Sequence, residues 1–111
     1  MRRAAKIDEN QPDIVKGLRK IGASVQPLHA VGAGCPDLLV GYQGQNYLIE
    51  IKNPEKPKYD RRLTPDQAEW HGGWEGQKAV CETIDECLVA IGRKAPSQDW
   101  DTITTSPGAS E

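Results

Sequence analysis

The sequence has no long hydrophobic run: no apolar stretch approaches the roughly 20 residues that a membrane-spanning helix needs. The N-terminal segment MRRAAKIDENQ is basic but has no apolar stretch behind it, so it does not have the pattern of a secretory signal peptide. We therefore expect a protein without a membrane partner that stays in the cytoplasm.

Cysteine and histidine are scarce. The three cysteines, Cys35, Cys81 and Cys87, are odd in number and none is in a CxxC spacing, which argues against a disulfide framework. His29 and His71 add no recognisable spacing of zinc ligands. We expect the three thiols to be small buried side chains.

The sequence also lacks an excess of positive charge. Its 14 basic and 16 acidic residues give a net charge of −2, which argues weakly against a nucleic-acid partner, because such domains are usually basic. One segment, KNPEKPKYDRR, is nevertheless rich in Lys and Arg. Such a run forms either a solvated loop or a phosphate-binding surface. The second interpretation predicts DNA contacts for Lys56, Lys58, Arg61 and Arg62.

The length of the chain and the order of its predicted elements indicate one α/β domain. A chain of 111 residues can bury one core, and we assign residues 1–94 to it. Residues 95–111 lack periodicity and are rich in Ser, Thr, Pro and Gly, so we expect a disordered tail. The order of elements, α-β-β-β-α-β-α, predicts a mixed central sheet flanked by helices. These elements are a helix over 8–21, strands within 23–30, 37–42 and 46–52, a helix from 65 to about 76 capped by Thr64, a strand over 77–84 and a helix over 86–92 capped by Asp85.

Three charged residues stand inside or beside the two most apolar strands. Charged side chains are seldom buried unless they are paired or bind a metal. If Gln43-Gly44 forms a two-residue hairpin turn, Asp37 lies directly opposite Glu50, and Lys52 shares their face of the sheet. A three-residue turn would break this alignment.

Two carboxylates at that distance repel each other, and one is pushed toward protonation. A divalent cation such as Mg²⁺ (or Mn²⁺) removes the conflict, since one or two carboxylates typically hold it while water and phosphate oxygens complete its shell. A neighbouring lysine can orient or deprotonate a metal-bound water, or neutralise a developing phosphate charge. The pattern therefore indicates phosphodiester hydrolysis. The alternative is a structural ion pair at a strand end.

The stretch GAGCPDLLVGYQGQNYLIEIKNP, followed by LTPDQAEW, resembles the PD-(D/E)XK nuclease superfamily, and most closely the VRR-NUC type of small nuclease found in phage and bacteria. The resemblance covers residues 8–92. It implies a restriction-endonuclease-like fold and a Mg²⁺- or Mn²⁺-dependent DNA endonuclease that processes phage or bacterial DNA. Holliday junctions and flaps are the branched substrates that it suggests.

The resemblance also implies roles for individual residues. Asp37 and Glu50 correspond to the metal-binding carboxylates, and the backbone carbonyl of Ile51 to a further ligand. Lys52 corresponds to the lysine that serves the attacking water. Gln67 matches a glutamine that the family carries on its next helix.

The first helix departs from the family pattern. Related junction resolvases carry a metal-binding Glu there, and counting back from Gly22 puts that position at Gln11. A neutral amide could ligate weakly or hold a water, and Asp8, Glu9 and Asp13 are nearby acids. The number of metal ions is left open.

Two other functions are compatible with parts of the pattern. A catalytically silent DNA-binding or assembly module on the same fold would explain the net charge and the missing Glu. A protein-interaction domain would give no reason for the charged triad. Trp70 and Trp74 either stack on bases or, as such pairs more often do, pack in the core, and we expect His71 at the surface.

The resemblance to paired junction resolvases predicts a symmetric homodimer. Two-fold dimers are the commonest oligomers, and pairing would place two sites in opposite orientation on branched DNA. Candidate interfaces are the edge strand near Val25 and the exposed part of the helix that carries Trp70 and Trp74.

Overall fold

A four-stranded mixed sheet forms the centre of the computed structural model, which describes residues 7–93. The strand order is β1-β2-β3-β4; the first three strands are antiparallel neighbours and β4 runs parallel to β3. The predicted order of elements and the mixed sheet are confirmed. The elements are α1 (Gln11–Lys20), β1 (Ser24–Pro27), β2 (Leu38–Tyr42), β3 (Gln45–Ile51), a 3₁₀ helix (Lys58–Asp60), α2 (Pro65–Gly73), β4 (Lys78–Cys81) and α3 (Ile84–Ala90).

The predicted disordered tail and the predicted absence of a membrane-spanning helix both concern residues beyond the described range. The tail over 95–111 lies outside the described residues, so the domain boundary stays a prediction. Within residues 7–93, no helix is long and apolar enough to cross a membrane.

Of the two turn lengths that the sequence left open, the β2–β3 hairpin has the two-residue one. Gln43 and Gly44 have φ angles of 50° and 81°, and such left-handed pairs match the twist of a tight hairpin. Tyr42 pairs with Gln45, and the ladder continues to Leu38 opposite Ile49. One step further, the register sets residue 37 against residue 50.

Helices α1 and α3 pack together over one face of the sheet. Because side chains alternate along a strand, Leu38 and Val40 of β2 and Ile49 and Ile51 of β3 point to this face, where all four are fully buried. The remaining large core residues are Ile14 and Leu18 of α1, Leu88 of α3 and Ile91 directly after α3. The core therefore takes the odd positions of β3 and leaves Glu50 on the opposite face.

Both core helices end in the same way. After α1, Ala23 N donates to the carbonyl of Leu18 and Gly22 N to that of Arg19, and Gly22 has a φ of 94°. This is a Schellman termination, which needs a left-handed residue and so favours glycine. The chain reverses there and enters β1, which lies at the edge of the sheet as predicted and ends at Pro27.

Helix α2 lies in the connection between the parallel strands β3 and β4. It ends at Gly73 rather than near Gly76, and the amino group of Lys78 donates to the carbonyls of His71 and Trp74 at that end. Adjacent glycines weaken a helix by about 1 kcal/mol each relative to alanine, which accounts for the early end.

The N-cap of α3 differs from the prediction. Thr83 precedes the helix and its Oγ1 accepts a hydrogen bond from Glu86 N at 3.2 Å, so Thr83 is the cap. Asp85 lies in the first turn, where its charge favours the positive end of the helix.

Candidate active site

The sequence-predicted triad lies in one cavity on the sheet face opposite α1 and α3. Asp37, Glu50 and Lys52 line a cavity of about 360 Å³ where β2 begins and β3 ends. Their exposed fractions are only 7%, 3% and 7%. The rest of the wall is formed by the loop over 32–35, the first turn of α2, Asp8, Lys56 and Asp60. The fold therefore brings together the residues that the hairpin count paired.

Asp37 is fixed by the backbone of the neighbouring strand. Its Oδ2 accepts a hydrogen bond from Ile51 N at 2.7 Å. Burial raises the pKa of Asp37 above its ordinary value, and the bond from Ile51 opposes part of that rise. Ile51 has its side chain in the core with 0% exposure, so only its backbone is left for a role as a ligand.

Glu50 carries the most strongly perturbed carboxyl of the site. Burial, and next the charge of Asp37, raise the pKa of Glu50 to about 8, while Lys52 at 3.7 Å opposes the rise. This direction agrees with the expected shift of one carboxyl toward protonation, but burial contributes more to it than the repulsion between the carboxylates. Its Oε1 is buried without a hydrogen-bond partner among the described residues. A buried acceptor left unpaired is costly, and a cation bound there would remove the cost.

Gln67 joins the helix cap to the charged pair. Its Oε1 accepts from Lys52 Nζ at 2.7 Å and from Thr64 N at 2.9 Å, and its Nε2 donates to Glu50 Oε2 at 3.0 Å. Thr64 Oγ1 in turn accepts from Gln67 N at 3.2 Å, which completes a capping box. The amino group of Lys52 can only donate, so it must face Gln67 Oε1, which leaves Nε2 to donate to Glu50.

The donor set suits Mg²⁺ better than a softer metal. Within residues 7–93, no group of three or more His, Cys, Asp or Glu side chains is arranged to hold a metal ion. A cation here would have the carboxylates of Asp37 and Glu50 and water or phosphate oxygens, whereas Ile51, whose carbonyl the resemblance implies as a ligand, is not among the residues that line the cavity. Mg²⁺ characteristically binds through so few protein ligands. The unpartnered Oε1 of Glu50 is the observation that favours this fit.

The surroundings of the pair are acidic. Five carboxyl groups and two lysines line the cavity, so its electrostatic potential favours a bound cation over a free phosphate. Sequence reasoning missed Asp60 and Asp66, which come from the 3₁₀ helix and the first turn of α2. Neither had a sequence signal, because a surface aspartate in a loop or in a first helical turn is ordinary.

Gln11 does not line this cavity, whereas Asp8 does. Gln11 is 4% exposed, and its Oε1 has no hydrogen-bond partner among the described residues. The N-terminal end of α1 is tied to the site by Asn10, whose Nδ2 donates to the carbonyls of Lys52 and Glu82 at 3.0 Å each. Of the acids around the first helix, Asp8 is therefore the one that the fold brings to the triad.

The four predicted DNA contacts fall into two groups. Lys56 Nζ lies 3.0 Å from Asp8 Oδ1, and Arg61 lies 3.4 Å from Glu82 Oε1. Lys58 and Arg62 are exposed and have no ion pair with another described residue. The paired residues anchor the loop to the domain, and the exposed residues are free to meet an anion.

Two expectations about α2 are wrong. His71 is 8% exposed rather than at the surface, because it follows Gln67 by four residues and so shares its inward face. Burial, and then the charges of Lys78 and Lys52, lower the pKa of His71. Trp70 and Trp74 stack on each other with ring centroids 4.9 Å apart, but Trp74 is 42% exposed and neither belongs to the buried core.

The thiols largely follow the expectation. All three cysteines are free; Cys81 and Cys87 are buried, and Cys35 is half-buried and lines the cavity.

Comparison of the chain with protein-family models, with curated proteins and with solved structures finds no match. The functional argument therefore rests on the residues of the cavity.

The stability of the metal-free protein should fall as the pH rises, because of Glu50. In the unfolded chain a glutamate ionises near pH 4.3, whereas folded Glu50 keeps its proton up to about pH 8. Between these values the folded state holds the extra proton, so the free energy of unfolding drops by up to about 1.4 kcal/mol per pH unit.

Urea denaturation in EDTA from pH 5 to pH 8 measures this slope. The difference between the wild type and Glu50→Gln reports on Glu50 together with Asp37, which is coupled to it, because the opposite contribution of His71, whose pKa is lowered, is common to both proteins. We expect the difference in stability to change steadily with pH. Parallel curves would show that Glu50 is ionised throughout.

Proposed function

We propose that the protein is a metal-dependent DNA endonuclease of the PD-(D/E)XK type that acts on branched or flap DNA. The observation that carries the proposal is the burial of Asp37, Glu50 and Lys52 in one cavity, with one oxygen of Glu50 left unpartnered. Burying two carboxylates and a lysine costs stability unless their charges are compensated. A cation site for hydrolysis gives all three a use.

Each residue has a distinct part in this scheme. A bound Mg²⁺ or Mn²⁺ would polarise the phosphate and lower the pKa of a bound water. Asp37 and Glu50 would hold the ion, and Asp37 is kept in place by Ile51 N. Lys52, fixed by Gln67 Oε1 beside Glu50, is placed to orient or deprotonate the attacking water, or to neutralise charge that develops on the phosphate.

Incubation with DNA tests the proposal directly. Purified protein is mixed with linear duplex, flap and four-way-junction DNA, with and without Mg²⁺ or Mn²⁺. We expect cleavage only with metal, and none by Glu50→Gln, which keeps the shape of the side chain. DNA binding without cleavage by the wild type would instead support the silent module, and the absence of both would contradict any role on DNA.

Lys58 and Arg62, the two exposed basic residues of the loop, should make its contacts with DNA phosphates. Lys58→Ala/Arg62→Ala should weaken binding to all DNA sequences alike and reduce the slope of log affinity against log salt by roughly 2, because each phosphate contact releases about one counterion. The matched control is Lys16→Ala/Lys20→Ala, which removes the same charge from exposed positions on α1. Equal slopes for the two double variants would show that the loop only connects β3 to α2.

The homodimer stays a prediction. The edge strand β1, with Val25 half-buried, and the exposed ring of Trp74 at the end of α2 are the surfaces available for it. Two-fold pairing would double the basic surface and set two cavities in opposite orientation, as a four-way junction requires.

A further inference from the structure

Tyr59 is the most exposed large apolar side chain in the described part of the molecule. It is 66% exposed and stands in the 3₁₀ helix Lys58–Asp60 of the segment that links β3 to α2. An aromatic ring left in water gains nothing for the fold, since it gives up the burial that usually stabilises it. An isolated exposed ring is unremarkable by itself, so its position and support decide what it can do.

The loop that carries Tyr59 is held firmly at both ends. Asn53 starts it, accepting hydrogen bonds from Glu55 N with Oδ1 and from Lys56 N with its backbone carbonyl. The ion pairs Lys56–Asp8 and Arg61–Glu82 tie the two flanks to other parts of the chain. The ring is therefore presented by an ordered support.

The 3₁₀ helix that carries Tyr59 borders the cavity and is flanked by unpaired cations. Lys56 and Asp60, which flank it in the chain, line the same cavity as Asp37 and Glu50. Lys58 and Arg62 next to it are exposed and have no ion pair with another described residue. An aromatic face between two phosphate-binding cations is the combination that proteins use to hold single-stranded nucleic acid.

We propose that Tyr59 stacks on an unpaired base next to the phosphate that occupies the cavity, so that the preferred substrate carries a single-stranded segment there. In a duplex each base already stacks on its neighbours, and the ring finds no free face. A flap offers that face, while a fully paired four-way junction does not. This inference rests on the proposed nuclease function and specifies its substrate class.

Binding measured by fluorescence anisotropy in EDTA tests the stacking separately from catalysis. The probes are a linear duplex, the same duplex with a single-stranded flap, and the flap with abasic sites next to the junction. Tyr59→Ala should weaken binding to the flap about 5- to 100-fold and leave binding to the duplex unchanged. Tyr59→Phe should bind like the wild type, because it keeps the ring.

Two controls separate stacking from other effects. Val89→Ala removes exposed apolar area from α3 and should alter none of the affinities. The abasic flap should bind the wild type as weakly as the intact flap binds Tyr59→Ala. Equal losses on flap and duplex, or no loss on either, would overturn the inference.

The result can also be told apart from a failure of the nuclease proposal. If the wild type cleaves DNA with Mg²⁺ while Tyr59→Ala keeps its affinity for the flap, only the stacking is wrong. If the wild type neither binds nor cleaves any of the probes, the nuclease proposal is wrong and the inference fails with it.

Discussion

Glu50→Gln should lose Mn²⁺ binding and DNA cleavage together, and Asp37→Ala should do the same. Asp37 and Glu50 are the two carboxylates of the proposed metal site, so removing either one leaves too few protein ligands to hold the ion. Calorimetric titration with Mn²⁺ measures the first effect, and cleavage of flap DNA measures the second. Unchanged Mn²⁺ binding in both variants would contradict the assignment of these residues as ligands.

The choice of substitution matters at the two positions. Glu50→Gln keeps an oxygen for Gln67 Nε2 and cannot ionise, so the fold should be retained. Asp37→Ala leaves Ile51 N buried without its acceptor, which costs about 1–3 kcal/mol of stability. Asp60→Asn is the matched control, because it removes one charge from the same cavity outside the Asp37–Glu50 pair. It should weaken Mn²⁺ binding only through the loss of a distant charge.

Lys52→Met should slow cleavage by about 10²–10⁴-fold while Mn²⁺ and DNA still bind. This range is what a positioned acid–base group typically contributes. Methionine fills the buried space of the lysine stem without its amino group, and Gln67 keeps its bonds to Thr64 and Glu50. Single-turnover cleavage with saturating metal measures the chemical step, and calorimetry checks that metal binding survives.

Lys56→Ala is the matched control for the lysine. Lys56 also lines the cavity, but its amino group is paired with Asp8 rather than with the charged pair. Its loss should change the cleavage rate far less than the loss of Lys52. Cleavage at the wild-type rate by Lys52→Met would show that Lys52 has only a structural role.

The hairpin and its charged pair could be predicted because a strand repeats every two residues. Once the turn is set at Gln43-Gly44, every partner along β2 and β3 follows, and the faces of Glu50 and Ile51 with them. The cap of α2 could be predicted for a similar reason, since Thr64 followed by a proline and then Gln67 is a local signal. These parts depend on neighbours in sequence.

The rest of the site depends on segments that meet only in the folded chain. Asp8 and Asp60 reach the cavity because Asn10 ties α1 to the end of β3 and the long loop folds back over it. No periodic pattern contains that information. The burial of His71 was missed because the short, weakly amphipathic α2 does not reveal which face it turns inward.

Gln67 has two roles, and together they make the geometry of the proposed catalytic site depend on the folding of one helical turn. The same side chain closes the first turn of α2 and holds Lys52 beside Glu50. A nine-residue helix is marginal by itself, and short helices open locally far more often than a whole domain unfolds. Each time that turn frays, Lys52 loses its support while the sheet stays intact. In the proposed nuclease, competence for hydrolysis would therefore fluctuate with this one helical turn, and a substrate that bound against α2 would favour it by ordering the turn.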